Sequence, residues 1–326
     1  MEFKNVTKNF GSFTAVSDLN LKIYRGEILG YLGENGAGKS TTMKMMANLL
    51  RPTKGQIYIR DNAGELEQLT SRSKDRLLNN IGFLIENPAF YGDMSPRAIL
   101  KYFGELKGYP RDRINDRVEE VVEMIGMTKW IDVKIKNFSK GMRQKIGVVS
   151  AIVHNPDIVV LDEPQTGLDP SARLLVREFI MQLKDMGKTI FLSSHLLYEI
   201  SEIADRIAII SHGKLVAIDT LENLEALGKL SVIHLELSTP IEEVPTFIPS
   251  IVKTIQPYLG EQRKTVVFDN KTGVIKIPFD GNPEHQSMIL KELIRQGLDI
   301  LEFSVPKAGL LEDLYIEFVN KRQEEL

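Results

Sequence analysis

The stretch Gly33-Glu34-Asn35-Gly36-Ala37-Gly38-Lys39-Ser40 combines three chemical capacities in eight positions. Its glycines let the backbone curl so that successive N–H groups converge on phosphate oxygens. Lys39 offers a point charge for β- and γ-phosphates, and the Ser40 hydroxyl is an oxygen ligand suited to Mg²⁺. A strand must present such a loop, and a helix must follow it to add free N–H groups and a positive dipole end. Glu27-Ile-Leu-Gly-Tyr-Leu32 reads as a short buried strand, and Thr41 to Leu50 reads as that helix. With strand, loop and helix in order, the segment Gly33 to Thr41 points to binding of a nucleoside triphosphate.

Two further segments bear on what happens to that nucleotide. Ile158-Val-Val-Leu-Asp162-Glu163 is an apolar run typical of a buried parallel strand, ending in two adjacent acids. On a strand neighbouring the loop's own, Asp162 can hold Mg²⁺ through water at the carboxyl edge of the sheet. Glu163 then points toward the γ-phosphate, where it orients or deprotonates an attacking water. An acidic turn after a core strand is the competing reading, which the nearby phosphate loop disfavours. Phe138-Ser139-Lys-Gly141-Met-Arg-Gln144 precedes that strand, with Ser139 where a helix N-cap belongs and a helical run through Ala151. Taken alone, this is a capped helix.

Composition narrows the setting. The 326 residues exceed what one core usually covers, so two domains are expected. A net charge of −3 argues against an extended basic surface, and no nucleic-acid partner is expected. Without cysteine, thiolate metal sites and cysteine nucleophiles are excluded. No apolar run approaches the ~18 residues that span a bilayer, and Met1-Glu-Phe-Lys-Asn has no signal-peptide layout.

The phosphate loop, the Ser139 segment and the acidic strand together resemble the nucleotide-binding subunits of ABC transporters, over roughly residues 1 to 220. The resemblance implies that Ser139 and Gly141 touch the γ-phosphate held by a second copy of the chain. The two copies form a head-to-tail homodimer with ATP sandwiched between them. It also matches Phe10 to the aromatic that stacks on adenine, with a core aromatic as the alternative. Thr166-Gly-Leu-Asp169 matches the segment that crosses the dimer, with a plain turn as the alternative. His195, after the strand Thr189 to Ser193, matches the histidine that contacts the γ-phosphate, where a polar strand terminus is the bland reading. The implied catalytic set is Glu163, His195 and Lys39. The nucleotide set is Phe10, Gly33 to Thr41, Ser139, Gly141 and Asp169.

This chain departs from the family pattern in places. Glu86 follows the strand Ile81 to Ile85 where the family usually has a Mg²⁺-sensing glutamine. A carboxylate ligates Mg²⁺ as an amide does but adds negative charge near the phosphates. The implied metal set is Ser40, Glu86 and Asp162, with an uninvolved surface acid as the alternative for Glu86. Lys140 and Met142 stand where the commonest form of the Ser139 segment has glycine and glutamine.

The expected architecture is α/β: a phosphate-loop NTPase core with a mostly parallel sheet over residues 1–228, carrying a helical insertion at about 87–155. In the family, that insertion and the Glu86 region dock on a membrane-spanning permease, and Pro88-Ala-Phe-Tyr-Gly92 is a plausible contact patch. Residues 229–326 read as a small ferredoxin-like α+β domain: strand Val232 to Leu237, broken helix Ile241 to Leu259, hairpin Thr265 to Ile277, helix Pro283 to Gln296, and strand Ile300 to Val305. A last helix is expected over Leu310 to Lys321. The segment beginning Leu311-Glu-Asp-Leu resembles the ends of ATP-binding subunits from bacterial drug and antimicrobial-peptide exporters. The expectation is an ATPase subunit using ATP and Mg²⁺ to drive export, cytoplasmic and held at the inner face of the membrane only through its permease. A soluble ABC-type ATPase of translation or DNA maintenance is the alternative. A phosphate-loop kinase leaves the Ser139 segment unexplained.

Overall fold

A turn from β1 (Glu2–Phe10) into β2 (Phe13–Lys22) opens the fold, and β3 (Ile28–Leu32), apolar on both faces, is buried along its whole length. The structure is a computed structural model describing residues 1–61, 64–86, 88–227, 231–258, 266–270 and 272–305. After β3 come the phosphate loop and α1 (Lys39–Met46), then β4 (Lys54–Arg60), β5 (Leu66–Gln68), α2 (Lys74–Asn79) and β6 (Ile81–Leu84). Three helices follow, α3 (Pro96–Leu106), α4 (Ile114–Met124) and α5 (Lys140–Ile152), packed against one another. Strand and helix then alternate through β7 (Ile158–Asp162), α6 (Pro170–Asp185), β8 (Thr189–Ser194), α7 (Leu197–Ser201), β9 (Arg206–Ser211) and β10 (Lys214–Asp219). These elements form one compact unit, Met1–Leu221.

Two sheets divide this unit. The expected parallel sheet runs β10-β9-β3-β8-β7-β6, with only β10 antiparallel. A separate antiparallel sheet, β2-β1-β4-β5, was not anticipated. The phosphate-loop helix α1 is packed into a shared core, its Met43, Met45 and Met46 buried with Phe3, Val6, Leu19 and Ile57 of one sheet and Leu29, Tyr31, Val160 and Phe191 of the other. Burying each such side chain contributes about 1.5–3 kcal/mol, so the helix beneath the phosphates is fixed from two sides. That helix starts at Lys39 and ends at Met46, shorter than expected, because Asn48 takes a left-handed φ of 55° that α-helix cannot continue.

The strand order corrects one expectation. The acidic strand β7 does not neighbour β3, because β8 lies between them and pairs with both. Asp162 and Glu163 therefore meet the phosphate loop across β8, which contributes its own polar end, Ser193 and Ser194.

Within the helical segment, Arg117 of α4 is buried and donates to the Ile152 and Val153 carbonyls at 3.1 and 3.3 Å, capping the C-terminus of α5 with positive charge. Just beyond, both ring nitrogens of His154 are buried, with the Ile81 backbone alone opposing the cost of charging the ring. Burial, with Lys107 nearby, pushes His154 from 6.5 down to about 4. The fold therefore holds fewer protons than the unfolded chain between pH 6.5 and about 4. Stability is fully present above that window and falls as pH drops through it, by roughly 2–3 kcal/mol after allowing for partial solvent access. Urea midpoints for the wild type are expected to fall more between pH 7 and 5 than those of His154→Gln; identical pH slopes would remove the assignment.

The second unit, Glu222–Leu326, has its own core. After α8 (Leu221–Leu227) come β11 (Ser231–Leu237), α9 (Ile248–Ile255), β12 (Val267–Phe268), β13 (Ile275–Phe279), α10 (Pro283–Arg295) and β14 (Ile300–Ser304). The antiparallel order β12-β13-β11-β14 is the expected ferredoxin-like arrangement. Alternation along β11 and β13 buries Ile233, Leu235, Ile275 and Ile277 beneath Ile251 and Ile255 of α9 and Ile289 and Leu293 of α10. The expected helix Leu310 to Lys321, and the exporter-like segment within it, lie outside the described residues.

Candidate nucleotide site

The phosphate loop joins the end of β3 to α1 through Gly38, whose φ of 107° suits only glycine and whose added Cβ would lie 2.5 Å from the Ala15 carbonyl oxygen. No side chain caps α1, so its first N–H groups are left to a ligand. The Thr42 hydroxyl donates to the Gly38 carbonyl at 3.0 Å and lies 3.3 Å from the buried Tyr31 hydroxyl, pinning loop, helix and strand together. Lys39 is only 5% exposed. Its ammonium donates to the Gly33 and Glu34 carbonyls at 2.6 and 3.1 Å and stands 3.3 Å from Glu163 Oε1.

Ser193 on β8 is the link between the two acids. Its hydroxyl donates to Asp162 Oδ1 at 2.6 Å and accepts the Glu163 N–H at 3.0 Å. Asp162 is 5% exposed, so its carboxylate is oriented rather than free to wander. Glu163 takes a left-handed φ of 47°, a conformation that costs a non-glycine residue about 1 kcal/mol and that clusters at functional sites. The strain is offset by contacts. Glu163 Oε2 accepts from the Thr166 hydroxyl and pairs with His195 Nδ1, each at 2.7 Å. Burial raises the Glu163 pKa, but Thr166, Lys39 and His195 outweigh it and hold the carboxyl below its ordinary range. Glu163 is thus a fixed anion near neutral pH, with Lys39 before it and His195 behind.

An open cavity of about 670 Å³ gathers most of the expected residues: Phe10, Glu34, Asn35, Gly36, Gly38, Lys39, Ser40, Thr41, Glu86, Asp162 and Glu163. Gly33 and Ala37 complete the loop's backbone, and His195 joins through Glu163. Phe10 is 47% exposed, which rules out the core-aromatic alternative. Two residues that sequence reasoning gave no role also belong here. Phe13 lines the cavity, as do Gln144 of the Ser139 segment and Thr166 of the crossing segment, and Ser193 orients Asp162 from β8. The apolar strand running straight into Ser193-Ser194-His195 carried the signal for the last of these.

Glu86, also left-handed at φ 62°, pairs with Lys44 of α1. The extra charge that sets it apart from glutamine is thereby balanced by a cation one helical turn past the phosphate loop. Ser40, Asp162 and Glu86 bring only oxygen donors to the cavity, the ligand chemistry Mg²⁺ prefers. Among the described residues no three His, Cys, Asp or Glu side chains cluster as a metal cage.

Ser139, Gly141 and Asp169 do not line this cavity. Ser139 caps α5, accepting from the Met142 N–H at 3.2 Å, and Asp169 caps α6, accepting from the Ala172 N–H at 2.9 Å. The side chain of Lys140 lies across Gly167, whose missing Cβ leaves room that an alanine would close to 2.8 Å from the ammonium.

A family model described as ABC transporter matches residues 16–166. The uncharacterized ABC transporter ATP-binding protein YhcH of Bacillus subtilis is 32% identical, across 100% of this chain and 98% of that protein. This chain belongs to the ATP-binding proteins of ABC transporters. The bacitracin transport ATP-binding protein BcrA of Bacillus licheniformis is 30% identical over 97% of this chain and 96% of its own length. A solved ATP-binding subunit of an ABC transporter shares the fold with a TM-score of 0.62 and 26% identity, over 69% of this chain and 92% of that one. This ABC ATP-binding protein is therefore an ATP-hydrolysing transporter subunit, which leaves the kinase alternative without support. Among its described residues no helix is long and apolar enough to cross a membrane.

Proposed function

We propose that two copies of this ABC ATP-binding protein hydrolyse ATP in shared sites and so drive export through a separate membrane permease. The observation that supports shared sites is the split within one chain. Lys39, Ser40, Asp162 and Glu163 meet at one cavity, whereas Ser139 and Asp169 lie outside its lining. An exposed serine at the N-terminus of the 13-residue helix α5 suits an anion carried by another molecule.

In this reading Phe10 stacks on the base, and the backbone of Gly33 to Thr41 with Lys39 cradles the phosphates. Ser40, Asp162 and Glu86 would hold Mg²⁺, whose charge neutralises the β- and γ-phosphate oxygens when bound. Phosphate oxygens replace Glu163 as the partner of Lys39, which turns Glu163 Oε1 toward the attacking water. Glu163 orients that water and accepts its proton, and His195 hydrogen-bonds the γ-phosphate. Ser139 and Gly141 of the second copy close over the same phosphate, with Asp169 at the crossing.

The helical segment α3 to α5 and the Glu86 region carry the closing motion to the permease, with Pro88 to Gly92 as contact patch. The permease holds the protein at the inner face of the membrane. Export is favoured over import by the full-length similarity to the bacitracin transport protein. Residues 1–228 serve as the ATP-binding domain and 229–326 as an accessory domain without a catalytic step.

Mixing two inactive variants tests the sharing. Lys39→Ala spoils one half-site and Ser139→Arg the other, so each alone should be inactive. A mixed dimer regains one intact site, and ATP turnover should partly recover on mixing. If sites lie within single chains, mixing restores nothing.

A further inference from the structure

The Lys8 ammonium lies 5.0 Å from the centroid of the Phe10 ring, inside the range of a cation–π contact. The same ammonium donates to the Arg51 carbonyl at 2.9 Å, on the segment that leaves α1. Two more bonds join these stretches: Asn9 N–H to the Thr53 hydroxyl at 3.0 Å, and Thr53 N–H to the Thr7 carbonyl at 2.7 Å. The end of β1 is thus sewn to the chain just beyond the phosphate-loop helix. Phe10 and Phe13 are the last register pair of the β1–β2 turn, and they are 47% and 61% exposed. Both line the cavity and Lys8 does not. With Phe10 in the lining and Lys8 outside it, the ammonium and a planar ligand in the cavity can use opposite faces of the ring.

We propose that Lys8 is a positioning residue for the nucleotide base, backing the Phe10 ring and fixing it, through the Arg51 carbonyl, to the segment that leaves the phosphate-loop helix. The proposal rests on the reading of Phe10 as the base-stacking residue. An exposed phenylalanine beside a turn otherwise samples several rotamers, and ordering it on binding costs affinity. A cation seated on one face removes much of that cost. It also draws π density, which makes the open face a better partner for an electron-rich purine. Phe13 supplies a second apolar wall.

The test compares ATP with inorganic tripolyphosphate by calorimetry on the whole chain, since tripolyphosphate uses the phosphate loop but has no base. Lys8→Met should weaken ATP about 3- to 10-fold while tripolyphosphate binding stays within about 2-fold, and Lys8→Arg should retain ATP affinity. Equal losses for both ligands would assign Lys8 to the general field or to loop folding and overturn the proposal. So would unchanged ATP affinity in Lys8→Met. Phe10→Ala separates the two levels of the argument. It should weaken ATP and make a further Lys8→Met change silent. ATP affinity untouched by Phe10→Ala removes the stacking reading and Lys8 with it. A loss in Phe10→Ala without one in Lys8→Met removes Lys8 alone.

Discussion

Glu163→Gln is expected to keep ATP binding and lose about 10³-fold in turnover, the scale of a positioned general base. The amide has the same size and can occupy the same left-handed backbone position, so Thr166 and Ser193 keep their contacts with little rearrangement. What disappears is the charge that Lys39, Thr166 and His195 jointly stabilise. Two effects follow. No carboxylate remains to take the proton of the attacking water, and repulsion between that carboxylate and the γ-phosphate is relieved. ATP should therefore bind at least as tightly and accumulate unhydrolysed in a closed dimer. Light scattering after size exclusion should show an ATP-dependent doubling of mass in Glu163→Gln. Steady-state hydrolysis at the wild-type rate would contradict the role assigned to Glu163.

Lys39→Ala should act one step earlier and weaken ATP by about 10²–10³-fold, since it removes two or more charge-assisted hydrogen bonds from the phosphates. The buried position sharpens the expectation. The ammonium is held between the Gly33 and Glu34 carbonyls, and among the described residues no other ammonium or guanidinium group lines the cavity to replace it. Lys39→Arg should fail too, because a planar fork cannot reproduce a compact ammonium between two loop carbonyls. Calorimetric titration with ATP and circular dichroism checks both variants together. A folded Lys39→Ala protein with wild-type affinity would contradict the phosphate-loop assignment.

Much of the site was legible because its elements are local in sequence. Gly33 to Ser40 contains its own turn chemistry and cation, and the apolar run into Asp162 and Glu163 declares both a buried strand and its polar end. The C-terminal unit was legible for a similar reason: period-two strands and period-3.6 helices follow one another without long excursions. Strand order was not. Nothing in the residues of β7 or β8 says that β8 inserts beside β3, because parallel pairing is decided by crossovers and whole-sheet packing. The bridging role of Ser193 depends on that order and was hidden with it. The antiparallel sheet was missed because β1 and β4 pair across more than forty residues of intervening chain. Pairs such as Lys44 with Glu86 and Lys8 with Arg51 are long-range in the same sense. Glu86 looked like a simple departure from glutamine until its partner on α1 was visible.

The central claim is that this ATPase works through a membrane partner, and its most direct test is recovery of the tagged chain from detergent-solubilised membranes of its native host. The account predicts a co-purifying, stoichiometric polytopic membrane protein that has no phosphate loop of its own. Recovery from the soluble fraction alone, with ribosomes or DNA-repair proteins in place of a permease, would contradict it.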